Sequence, residues 1–104
     1  MAEQVLSIAV VRPNEGKGEE CVAVIRELYV VLERKHYSRD LLYRDLQNPE
    51  LLVNLRYWTS AQARYDAQED PEIHRYWLRL GQLCEVVKVY EELEEIPARD
   101  ARQG

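Results

Sequence analysis

The nine residues Leu51 to Thr59, LLVNLRYWT, read as a β-strand with two unlike faces. Alternation sends Leu51, Val53, Leu55 and Tyr57 to one side and Leu52, Asn54, Arg56 and Trp58 to the other. The first side is apolar, whereas the second sets an amide and a guanidinium between two large apolar side chains. Just upstream, Gln47-Asn48-Pro49-Glu50 has turn chemistry, and Arg39 to Leu46 before it reads as another strand. The two strands make a hairpin.

Toward the N-terminus, Gln4 to Arg12 is rich in β-branched residues, with Leu6, Ile8 and Val10 on one side and Val5, Ala9 and Val11 on the other. Such a strand is expected to be covered on both faces. Pro13, Asn14, Gly16 and Gly18 mark a turn, after which Cys21, Val24, Ile25, Leu28, Val31 and Leu32 recur at helical spacing. Arg26, Glu27, Glu33 and Arg34 take the opposite side, and His36 follows the helix end in a capping position. Toward the C-terminus, Ser60 can cap a short helix running through Tyr65 to about Gln68, and Asp70-Pro71-Glu72 starts another. The second helix is therefore expected to break near Glu69. Its later part carries Ile73, Tyr76, Trp77, Leu80, Leu83 and Cys84 on one stripe, and Val86 to Leu93 reads as a last strand.

The order is β-α-β-β-α-β, the split βαβ arrangement of a ferredoxin-like α+β domain. It predicts an antiparallel four-stranded sheet with two helices on one face, one domain over residues 1–97 and a flexible tail over 98–104. The other sheet face is too apolar to leave bare, so pairing of two copies into a homodimer is expected. A formal charge of −5 opposes a phosphate backbone and argues against nucleic acid as a partner. No apolar run reaches the ~20 residues of a membrane helix, and no charged segment followed by an apolar core opens the chain, which predicts no membrane association and a cytoplasmic location. Cys21 and Cys84, far apart in sequence and without two further ligands at zinc spacing, read as reduced core residues. Glu91, Glu92, Glu94 and Glu95 read as a solvated acidic end, and neither a glycine-rich phosphate loop nor a spaced Cys/His set is present.

Arg56-Tyr57-Trp58-Thr59-Ser60-Ala61-Gln62-Ala63, followed by Asp70-Pro71-Glu72-Ile73-His74, resembles the antibiotic biosynthesis monooxygenase family of the dimeric α+β barrel superfamily. The likeness lies in a third strand ending in tryptophan and serine, a helix start, and an acidic, proline-containing break; element order matches from Val5 to Leu93. The resemblance implies a dimeric α+β barrel and, in quinone-forming members, a cofactor-free monooxygenase acting on a small aromatic or polyketide-like substrate. The alternative is a non-enzymatic dimeric small-molecule-binding or stress-associated protein of the same fold. Asn54 and Trp58 reproduce the family's asparagine–tryptophan pair four residues apart. Tyr65 and Arg79 stand near the family's tyrosine and arginine if one residue is inserted after Trp58; together these four form the implied catalytic set. Arg56, where many relatives carry glutamate, joins Trp77 and His74 as candidate substrate-binding residues. Haem-degrading relatives use an asparagine in the first strand, which Val5 to Val11 lacks, and this argues against haem degradation; with metal-ligand spacing also lacking, no metal and no cofactor is expected.

Cofactor-free oxygenation needs an electron-rich substrate anion that itself reduces oxygen, so the protein's work is to exclude water, hold the ring and supply donors where charge collects. Asn54 offers an amide, Trp58 an indole N–H and a flat wall, Tyr65 a hydroxyl, and Arg56 or Arg79 a positive charge. Each has a structural rival. Trp58 is core filler or cavity wall; Asn54 bonds a neighbour or lines a wet pocket; Arg56, if buried, demands a partner. Arg79, on the flank of its stripe, is a surface ion pair or a ligand group, and His74 is a boundary residue or a ligand contact.

Overall fold

The computed structural model describes residues 5–98. Strand β1 spans Val5–Pro13, helix α1 Gly18–Arg34, β2 Ser38–Arg44, β3 Leu52–Trp58, α2 Ala61–Gln68, α3 Pro71–Leu83 and β4 Cys84–Leu93. The strands lie in the order β2-β3-β1-β4, every neighbouring pair antiparallel, as a ferredoxin-like order requires. The break in the second helix falls where the caps put it. The Ser60 side chain accepts from the Ala63 N–H, Asp70 accepts from the Glu72 N–H, and Pro71 opens α3. Most of the tail expected over 98–104 lies outside the described residues.

The α1 stripe of Cys21, Val24, Ile25, Leu28, Val31 and Leu32 is wholly buried. Its first half packs with Val11, Leu52 and Leu83, and its second half with Ile73. Each aliphatic side chain so buried contributes roughly 1.5 to 3 kcal/mol. Because Val11 and Leu52 are in this core, the helices cover the face of β3 that carries Asn54, Arg56 and Trp58. The other face is uncovered: Leu6, Ile8 and Val10 of β1 pair across to Tyr57, Leu55 and Val53 of β3, and these to Arg39, Leu41 and Tyr43 of β2.

Three details were not expected. Helix α1 ends with His36 at φ 61, while the His36 and Tyr37 N–H groups bond back to the Glu33 and Leu32 carbonyls at 3.0 and 2.9 Å. That is the reciprocal pair of a left-handed helix stop, a place that favours glycine. Helix α3 runs into β4 without a loop, so Cys84 is extended although it continues the helical stripe; the freed carbonyls of Gln82 and Leu83 are met by the Asn14 side chain and backbone N–H at 3.0 and 2.8 Å. Finally, Cys21 and Cys84 meet where α1 passes the start of β4. Burial, and then the neighbouring thiol, push Cys21 up to about 12, which keeps it a thiol.

Among the described residues, no helix is long and apolar enough to cross a membrane, and no cluster of His, Cys, Asp and Glu could hold a metal ion.

Candidate functional site

Register fixes which side chains meet beneath the helices. Across β2, β3 and β1 the rows are Ser38, Trp58, Val5; then Asp40, Arg56, Ser7; then Leu42, Asn54, Ala9. In the middle row the Arg56 Nε–H donates to Asp40 Oδ2 at 2.5 Å, and the Ser38 hydroxyl donates to the other carboxylate oxygen at 2.7 Å. The Asp40 and Arg56 side chains are only 1% and 12% exposed, so this is a desolvated ion pair. Arg56 also stands 5.6 Å from the Trp58 ring centroid. Trp58 is buried, and its indole N–H donates to Ser7 Oγ at 2.8 Å; the Ser7 hydroxyl in turn donates to the Glu91 carbonyl at 2.6 Å.

Asn54 is held from above. The Tyr29 hydroxyl of α1 donates to Asn54 Oδ1, and the Leu41 carbonyl lies 3.3 Å from the same hydroxyl. Burial, then the Asp40 carboxylate, raise the Tyr29 phenol well above its ordinary range, with Arg56 opposing. Tyr29 therefore remains a donor at any working pH. Among the described residues Asn54 Nδ2 has no hydrogen-bond partner, and no buried side-chain nitrogen or oxygen is left unpaired, so Nδ2 keeps access to solvent. Beside this row Arg64, 15% exposed, reaches from α2 to Glu91 and Glu92 at 3.5 and 3.3 Å.

Of the seven residues singled out from sequence, Asn54, Arg56 and Trp58 stand side by side on β3. The other four stand elsewhere. Tyr65 is 58% exposed on α2. Arg79 pairs with Glu20 at 3.8 Å and lines an open groove of 310 Å³ between α1 and α3, with Glu27, Glu72, Arg75 and Tyr76. The His74 ring nitrogen Nε2 meets the Gln68 carbonyl, and the ring stacks on Trp77 at 5.5 Å. Trp77 itself packs on the core formed by Leu28, Val31, Leu32 and Ile73.

Sequence reading missed Tyr29, Asp40 and Ser7, although each left a signal. Asp40 is Arg56's partner once the hairpin register is counted from its turn, Ser7 is the polar residue in the inward phase of β1, and Tyr29 lies four residues beyond Ile25, half-buried at the edge of the α1 stripe. A second cluster ties α1 to α3. Lys35 Nζ lies 2.8 Å from both Asp70 and Glu72, and the Tyr37 hydroxyl donates to Asp70 at 2.8 Å. The Lys35 and Tyr37 hydrogen bonds hold Asp70 down at about 2.

No family model matches the chain, and no curated protein matches it. Solved structures do. SnoaB, a cofactor-independent oxygenase from Streptomyces nogalater, is 18% identical with a TM-score of 0.75, over 92% of this chain and 99% of its own. A conserved protein of unknown function from Bacteroides thetaiotaomicron is 16% identical with a TM-score of 0.79, over 91% of this chain and 100% of its own. A candidate antibiotic biosynthesis monooxygenase from Chloroflexus aurantiacus is 12% identical with a TM-score of 0.74, over 93% and 97%. Identities this low speak to fold, and the likeness first read from the third strand holds at that level: the chain has the fold of the antibiotic biosynthesis monooxygenases.

Proposed function

We propose that the protein is a cofactor-independent monooxygenase that converts a small aromatic or polyketide-like substrate to a quinone, working as a homodimer. The observation that carries this reading is Asn54: a half-buried amide whose acceptor oxygen is occupied by Tyr29 and whose nitrogen remains open, four residues before the flat, buried ring of Trp58. An anthrone illustrates the chemistry. Loss of a proton gives an enolate, which passes an electron to O2; recombination forms a hydroperoxide, and loss of water leaves the quinone carbonyl. One oxygen atom enters the product and the other leaves as water, so CH2 and O2 become C=O and H2O with no external reductant. The role assigned to Asn54 Nδ2 is donation to the oxyanion, and Trp58 serves as a wall, because its N–H is already given to Ser7. Arg56 has its charge met by Asp40 and supplies polarity, not a free cation. Tyr65 and Arg79, elsewhere in the protomer, take no part in this reading. SnoaB supports it, as an oxygenase of the same fold described as needing no cofactor. The uncovered apolar sheet face supports the dimer.

The second reading is a non-enzymatic dimeric binding protein, favoured by the internal pairing of both Trp58 and Arg56. Anthrone oxidation under 18O2 separates the two. Wild-type protein is expected to form anthraquinone with a single labelled oxygen newly incorporated. Asn54→Ala is expected to lower turnover on the order of a hundredfold while costing about 1 kcal/mol of stability, since the Tyr29 hydroxyl retains the Leu41 carbonyl as an acceptor. Wild-type protein that forms no labelled quinone would remove the oxygenase reading and leave the binding one, and turnover unchanged by Asn54→Ala would take from Asn54 the role of oxyanion donor.

A further inference from the structure

An asparagine side chain is two-faced: one end accepts hydrogen bonds, the other donates, and a half-turn about its last torsion exchanges them. What Asn54 offers a ligand therefore depends on whatever grips its inner end. That grip is Tyr29. Its ring packs against the core formed by α1, β1, β3 and α3, which sets the height of the hydroxyl above the sheet, and the hydroxyl donates to Asn54 Oδ1. The phenol's proton is secure, because burial and Asp40 both oppose its loss. With Oδ1 so engaged, the open end of the amide is the NH2 group. The reverse orientation would turn Nδ2 toward the hydroxyl and Oδ1 toward the ligand; the hydroxyl would then have to spend its proton on the Leu41 carbonyl, 3.3 Å away.

We propose that Tyr29 is the positioning residue of this site: its hydroxyl locks the Asn54 amide with Nδ2–H outward, so that the site selects a flat ring ligand presenting a hydrogen-bond acceptor, a ketone or phenolate oxygen, to Asn54. The proposal rests on the oxygenase reading for its substrate and deepens it by naming the group recognised. Tyr29 need not touch that ligand. It acts through the orientation of Asn54, and the charge-neutral Asp40–Arg56 pair alongside offers a carboxylate-bearing ligand no free cation.

The test compares two probes of nearly equal shape, α-tetralone with its ketone oxygen and tetralin without it, titrated into wild-type protein and Tyr29→Phe. Wild type is expected to prefer the ketone, and the Asn54 side-chain NH2 resonances, assigned by their loss in Asn54→Ala, should move with tetralone and not with tetralin. Tyr29→Phe keeps the ring and its packing but frees the amide to turn. The preference for tetralone over tetralin is expected to fall about fivefold, the worth of one ordinary hydrogen bond, with tetralin affinity unchanged. A merely structural role for Tyr29 would weaken both probes equally and overturns the proposal, as does an unaltered preference or failure of wild type to bind either probe. Should Tyr29→Phe not fold, immobile Asn54 NH2 resonances in wild type would overturn it by themselves. Anthrone turnover is read separately. A lost tetralone preference in Tyr29→Phe with no turnover in wild type upholds Tyr29 and sinks the oxygenase reading alone.

Discussion

Replacing Asp40 with alanine tests whether the row beneath the helices is as dry as its geometry says. The Arg56 side chain is 12% exposed and, among the described residues, its one close counter-charge is the Asp40 carboxylate at 2.5 Å, so removing that carboxylate leaves a guanidinium with little water to turn to. Breaking a buried pair from one side costs about 3 to 5 kcal/mol. Ser38, 2% exposed, also loses the acceptor of its hydroxyl, adding about 1 kcal/mol. With a urea slope of about 2 kcal/mol/M, the unfolding midpoint should drop by about 2 to 3 M, and the melting temperature by something on the order of 20 °C. Urea unfolding followed by tryptophan fluorescence at fixed protein concentration measures this directly. The combination Asp40→Leu with Arg56→Met removes both charges and should recover most of the loss, as apolar replacements of buried pairs commonly do. An Asp40→Ala stability within about 1 kcal/mol of wild type would refute the reasoning, because it would mean that water reaches Arg56 in the folded protein.

His36→Gly should stabilise the protein by about 0.5 to 1 kcal/mol in the same assay, since the position has φ 61 and a side chain there is strained; no gain would mean that the His36 side chain contributes a compensating contact. Asp70 has its folded pKa lowered from 3.8 to about 2, so its contribution is complete above 3.8 and fades as the pH falls toward 2. Across that window wild type should lose stability more steeply than Asp70→Asn, and the two curves should converge near its lower end; parallel curves would deny Asp70 that part. Leu55→Lys puts a charge at the middle of the uncovered sheet face, between Ile8 and Leu41, and should turn a micromolar dimer into a monomer by sedimentation velocity. Wild-type protein sedimenting as a monomer at that concentration would contradict the dimer itself.

The elements were legible because their signals are local. Ser60 and the Asp70-Pro71 pair mark two helix starts, the α1 stripe has one clear period, and Leu52 to Trp58 alternates without interruption. Asn54, Arg56 and Trp58 could be placed on one face for the same reason. Their partners could not be named, because pairing depends on register, and a slip of one residue exchanges the faces of a strand. Tyr65 and Arg79 were located by counting along the chain from Trp58. For Arg79 that count passes through the break at Glu69, where α3 restarts with its own axis and phase, so distance along the chain no longer says which way its side chain points; Tyr65 lies before the break, and its count crosses only the passage from strand to helix at Thr59 and Ser60. Cys84 shows the opposite limit: it keeps the helical spacing set by Leu80, yet the backbone turns to strand at that residue.

The strand order has a consequence for synthesis on the ribosome. Central strand β1 is made early, but its two neighbours are β3 and β4, the third and last strands to be made. At roughly 5 to 20 residues per second, the nascent β1 waits several seconds for β3 and longer for β4. Throughout that interval VLSIAVV, residues 5–11, is a flat apolar segment without charge or proline, the kind of sequence that pairs with copies of itself. The hairpin of β2 and β3 can close while β1 is still unpaired, so the yield of folded protein depends on how quickly a finished hairpin captures a strand made long before it.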